Sequence, residues 1–103
     1  MNRFTLERQA SKVKVTIGCD LSGTVSAELR DLLAAIQEDG VTDLTLDFSG
    51  TVAIDAGGIA LLVAAGNSFR GGDRQMALVS VPRGIFSLLQ TLRLSQRLGA
   101  QMG

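Results

Sequence analysis

Asp55, Ala56, Gly57 and Gly58 stand between a run that alternates like a strand and a run that is apolar like a buried helix. An Asp so placed accepts hydrogen bonds from the free amides of a first helical turn. Two adjacent glycines in that turn each cost a helix about 1 kcal/mol against alanine. They would also leave the N-terminus flat, with amides open to a partner's backbone or to an anion. The plainer readings are that Asp55 is only a cap, and that the helix begins later, near Ile59. Asp47 and Asp55 have the residue type for paired acid/base work, but no nucleophile or metal-ligand set accompanies them. The run Gly18-Cys19-Asp20-Leu21-Ser22-Gly23-Thr24 has the glycine spacing of a phosphate loop. It lacks the lysine that reaches the terminal phosphates, so it reads as a strand-to-helix turn. Cys19 reads as a small apolar thiol of the core.

The 103 residues include no His, no Trp, no Tyr, one Cys and four Phe. Without His there is no Ser-His-Asp or Cys-His catalysis and no imidazole-ligated zinc. A single Cys makes neither an internal disulfide nor a thiolate cage, and fits a reducing compartment. So few aromatics supply no stacking platform for single-stranded nucleic acid. Ten basic and ten acidic residues cancel, which argues against a surface that tracks phosphates. The longest apolar run, Ile59 to Ala65, falls far short of the ~20 residues that cross a bilayer. The stretch from Met1 to Arg8 interleaves charged and apolar residues and offers no signal-peptide core. The expectation is a cytoplasmic protein with no catalytic residues, no metal and no cofactor. Its partner would be a protein, not nucleic acid and not a membrane it enters; a homodimer is also compatible with the sequence.

A chain of this length suits one domain over residues 1–103, able to bury roughly two-thirds of its unfolded surface. Phe4 and Leu6, then Val13, Val15 and Ile17, alternate with polar residues and predict two antiparallel strands joined at Arg8–Ser11. Thr24 is placed to cap a helix striped by Val25, Leu29, Leu32, Leu33 and Ile36, and Gly40 to end it. Val41 to Phe48 reads as a strand broken by Ser49-Gly50. A second helix runs from near Asp55 to about Arg70, apolar nearly all round and therefore buried, and stops at Gly71-Gly72. Met76 to Val81 is a short strand ended by Pro82. Ile85, Phe86, Leu88, Leu89 and Leu92 mark a third helix. Residues 94–103 are divided between a short strand and a frayed helical end. The order ββαβαβα predicts an α/β sandwich, a mixed four- to five-stranded sheet with helices on one face.

The zero net charge hides an asymmetry. Eight acidic residues and only Arg30 as a base lie between Asp20 and Asp55, whereas five arginines face Asp73 alone from Arg70 onward. Such runs are commonly solvated faces; the functional alternative is an electropositive end that steers an acidic protein partner.

The element order and the run from Asp47 to Ala65, DFSGTVAIDAGGIALLVAA, resemble the STAS domain of sulfate transporters and anti-sigma-factor antagonists. The resemblance extends from Phe4 to about Gly99. It implies partner switching: an unphosphorylated antagonist binds an anti-sigma kinase, and phosphorylation of a Ser or Thr directly after the Asp breaks the complex. That position is Ala56 here, which has no oxygen to phosphorylate, and the next is Gly57. Ser49 and Thr51 are the nearby hydroxyls. The Asp-x-Gly-Gly-Ile-Ala-Leu-Leu form also resembles a second branch, the small STAS subunit on the ATPase of phospholipid-asymmetry ABC transporters. Both imply a non-catalytic docking surface at Ser49, Thr51, Ile54, Asp55, Ala56, Gly57, Gly58 and Ile59. A third reading is a nucleotide- or small-ligand-binding domain that uses the open helix N-terminus.

Overall fold

Residues 3–69 and 74–102 are described by a computed structural model. The expected stop at Gly71-Gly72 and the charges of Arg70 and Asp73 lie outside them. Alternation at the start produces β1 (Phe4–Gln9) and β2 (Lys12–Ile17), paired antiparallel across a turn where Ala10 takes a φ of 57°. α1 (Thr24–Glu38), β3 (Asp43–Asp47), α2 (Ala56–Ser68), β4 (Gln75–Val81), α3 (Arg83–Thr91) and β5 (Ala100–Met102) follow. The strands lie side by side in chain order, and every pairing after the first is parallel. The sheet is therefore mixed and five-stranded, and part of the divided tail forms its last strand.

Register decides which face is covered. Val13, Leu44 and Met76 form one row across β2, β3 and β4, and Val15, Leu46 and Leu78 form the next. These rows join the core with Leu29, Leu33 and Ile36 of α1, Leu61 and Leu62 of α2, and Ile85 and Leu89 of α3. Each fully buried Leu or Ile among them contributes about 2–3 kcal/mol of transfer free energy. The intervening row of Lys14, Thr45 and Ala77 points to the uncovered face. All three helices thus pack on one side, as the alternation in β2 requires.

Two local expectations need correction. Thr24 is the first residue of α1 rather than its cap; the cap is Gly23, at φ 55° and with no capping side chain of its own. The second helix is not buried all round. Gly58, Leu61, Leu62, Ala65 and Gly66 are buried, while Ala56, Gly57, Ala60, Ala64, Asn67 and Ser68 are exposed. Its apolar character hid the division because alanine and glycine serve an exposed face as readily as a buried one.

Among the described residues, no helix is long and apolar enough to cross a membrane.

Candidate functional site

Parallel strands that feed helices bring all their outgoing loops to one end of the sheet. The loop after β2 carries Cys19, Asp20, Leu21 and Ser22. The loop after β3 carries Ser49 to Asp55. The two are laced together backbone to backbone. The Leu21 amide donates to Ala53 O at 3.0 Å, and the Asp55 amide donates to Leu21 O at 3.1 Å, forming a one-residue parallel bridge between Leu21 and Ile54.

Side chains complete the lacing. One carboxylate oxygen of Asp20 accepts the amides of Val52 and Ala53, both at 3.0 Å. The Thr51 hydroxyl donates to Cys19 O at 2.9 Å and lies 3.2 Å from Ile17 O. Asp47, on the uncovered face, accepts the Ser49 amide at 2.8 Å and sits 3.4 Å from the Lys14 ammonium.

Asp55 does more than the expected capping. Its Oδ1 accepts the Gly58 amide at 2.8 Å, which starts α2 at Ala56 and excludes the later start near Ile59. Its Oδ2 accepts the Gly23 amide at 3.1 Å, so the same carboxylate also ties down the start of α1. One side chain fixes the mutual placement of two helix N-termini.

Three carboxylates of this end ionise more readily than usual. The Val52 amide and then the Ala53 amide hold Asp20 low, and the Gly58 amide and then the Gly23 amide do so for Asp55. Burial works against ionisation at Asp47, but the Ser49 amide and hydroxyl and the Lys14 ammonium outweigh it. A group whose folded pKa is depressed stabilises the fold above its unfolded value and loses that contribution as pH falls through the folded one. Melting temperature should therefore be nearly flat from about pH 8 to pH 5 and fall below about pH 4. The fall should be shallower in Asp55→Ala, which lacks one of the three groups. Thermal melts across pH check this, and a fall beginning near neutrality would contradict it.

The expected site residues divide by what they do. Ser49, Asp55, Ala56 and Gly57 are exposed, and Ile54 and Ile59 half-buried, in the loop after β3 and the first turn of α2. Thr51 and Gly58 are not among them. Thr51 is 1% exposed and its hydroxyl is spent on backbone carbonyls. Gly58 is buried against Ile54 and Leu21. Their places follow from the lacing, which needs an inward hydroxyl and a point of close approach. Val52, which sequence reasoning missed, is the apolar tip of the loop at 79% exposure. Asp20, expected only as part of a turn, is its clamp. An Asp in a Gly-flanked loop is the signal that could have identified it.

Asp47 and Asp55 serve separate hydrogen-bond sets, one on the uncovered sheet face and one on the helix starts. They are not arranged as an acid/base pair. Against the anion reading, the Asp55 carboxylate already accepts the Gly58 and Gly23 amides and places a negative charge at both helix starts.

Comparison with known proteins agrees with this architecture. A family model described as "Mlab, STAS domain" matches residues 4–100. No curated protein is significantly similar in sequence. Among solved structures, an anti-sigma factor antagonist candidate from Thermotoga maritima superposes with a TM-score of 0.87 at 16% identity, covering 94% of this chain and 84% of that one. An anti-sigma factor antagonist from Mycobacterium paratuberculosis gives 0.82 at 14% identity, over 94% and 82% of the two chains. The Bacillus cell fate determinant SpoIIAA in its phosphorylated form gives 0.78 at 17% identity, over 97% and 90%.

Proposed function

Since the chain belongs to the STAS domain family, we propose that it is a non-catalytic docking module of the anti-sigma-factor-antagonist kind. It binds a protein partner through the head of α2 and the loop before it. The observation that carries this reading is the exposed run Ala56, Gly57, Ala60 and Ala64, small side chains on a helix held by Asp55 and preceded by the exposed Val52. Small residues let a partner's helix or backbone approach closely, and a rigid support keeps the ordering cost of binding low. The non-catalytic part of the reading is supported by what the nearby carboxylates already do. Asp20, Asp47 and Asp55 are engaged in holding loops, and the Gly58 amide of α2 already has Asp55 as its acceptor.

Ala56 gives the module its character. SpoIIAA is known in phosphorylated and unphosphorylated forms, and the family resemblance assigns the modified hydroxyl to the position after the Asp. With a methyl group there, the surface is permanently in the state that binds. Thr51 offers no substitute because it is buried, which leaves Ser49 as the exposed hydroxyl of the loop.

A second reading is favoured by one observation: the family model that matches carries the description Mlab. In that reading the same surface docks on the ATPase subunit of a phospholipid-asymmetry ABC transporter. Capture of the partner from the native host separates the two, because a GHKL-type kinase and an ABC ATPase are distinguished at once by mass. Incubation with that partner and ATP should yield no phosphoprotein. Phosphate on Ser49 would restore a switch and overturn the permanently competent reading.

A further inference from the structure

α1 and α2 lie side by side, and a groove of about 440 Å³ opens between them, walled by Gly23, Ala27, Gly57, Ala60 and Ala64. Ser26 and Arg30, one turn apart on α1, are the polar side chains that line it. Ser26 is 9% exposed, and its Oγ is buried with no hydrogen-bond partner. A buried hydroxyl without a partner weakens the free protein, and such groups are rare in native structures. Arg30 makes no ion pair or side-chain hydrogen bond among the described residues, and it continues from this groove into its extension toward Phe69. The acidic residues near it on α1 fall elsewhere. Glu28 pairs with Arg3 at 2.7 Å, and Asp31 does not line the groove.

We infer that this groove receives a carboxylate-bearing side chain, an Asp or Glu of the protein partner, which accepts from the Arg30 guanidinium and the Ser26 hydroxyl. The inference rests on the docking reading above and names the chemistry of the partner at that surface. A carboxylate is the complement because both lining polar groups can donate. The methyl and glycine walls carry no acceptor side chain of their own and leave width for an acidic side chain to descend; the Asp55 carboxylate at the Gly23 end is held by the Gly23 and Gly58 amides. A charge-assisted hydrogen bond from Arg30 is the stronger of the two contacts. The Ser26 Oγ is buried in the free chain, so its contact with the carboxylate requires a turn about χ1 toward the groove.

The test uses the whole chain, with N-acetylglutamate methylamide at millimolar concentration as the probe and the glutamine analogue as its neutral control. In amide NMR spectra the acid should shift Ser26, Arg30 and Gly57, the neutral analogue should not, and Arg30→Gln should abolish the shifts. Ser26→Ala should weaken the response while raising the melting temperature of the free protein, since it removes an unpartnered buried hydroxyl. Equal shifts from both probes, or none at these residues, would overturn the inference. So would a lowered melting temperature in Ser26→Ala, because the hydroxyl would then be serving the fold. The docking reading is tested apart, by Ala56→Arg, a residue outside the groove. Retained capture of the partner by that variant sinks the docking surface even where the probe binds.

Discussion

Gly57→Arg should cost the protein its partner and almost none of its stability. A Cβ built on Gly57 meets only Asp55 Oδ1, at 3.4 Å, and otherwise open space. Replacing glycine within a helix recovers up to about 1 kcal/mol of propensity, so the melting temperature should stay level or rise slightly. A cation in the first turn opposes the helix dipole and offsets part of that gain. On the docking side, a long charged side chain now rises from the centre of a surface built from alanine and glycine. Loss of contact at the centre of an interface commonly costs 2 kcal/mol or more, so affinity should fall by about 30-fold to 1000-fold. Calorimetry or surface plasmon resonance with the captured partner, beside a thermal melt, reads both quantities. Wild-type affinity in this variant would move the interface elsewhere on the molecule.

One residue further along, the same kind of substitution should have the opposite outcome. Gly58→Val places a Cβ 2.6 Å from Ile54 Cγ1 and 2.7 Å from Leu21 O. Leu21 O is backbone, and it is the acceptor that ties the two loops together through the Asp55 amide. It cannot yield without opening the bridge between Leu21 and Ile54. Overpacking of this kind costs about 2–3 kcal/mol, or roughly 10–20 °C in melting temperature for a domain near this size. Partner binding should weaken secondarily, through the lost stability and the displaced Ile54 loop. A Gly58→Val variant that melts like wild type would show that the loops are not held as described. The core thus gives Gly58 its reason, whereas Gly57 has open space around it and takes its reason, in the docking proposal, from the partner.

That difference was not legible in the sequence. The pair reads there as a single flat element, because nothing local says which Cα faces inward. Periodicity did carry the strands: lysine and threonine between Val13, Val15 and Ile17 specify one covered face, and the structure covers it. It failed for α2, where Ile59 to Ala65 looked uniformly buried and only packing separates Leu62 from Ala64. Thr51 misled for a similar reason, since a loop hydroxyl is usually exposed and this one is drawn inward by carbonyls 32 and 34 residues away. Asp55 was legible as a cap because capping is local. Its second bond, to Gly23, joins residues 32 apart and needs the fold to exist. Long-range pairing separates what could be read from what could not.

The central claim is that a protein partner covers the head of α2 whether or not ATP is present. Hydrogen–deuterium exchange of the chain, alone and with its captured partner, with and without ATP, tests it most directly. The expected result is slowed exchange over Val52 to Ala64, unchanged by ATP, with the uncovered sheet face and β5 exchanging as in the free chain. Slowing centred on the uncovered sheet face, or protection at α2 that ATP abolishes, would contradict it.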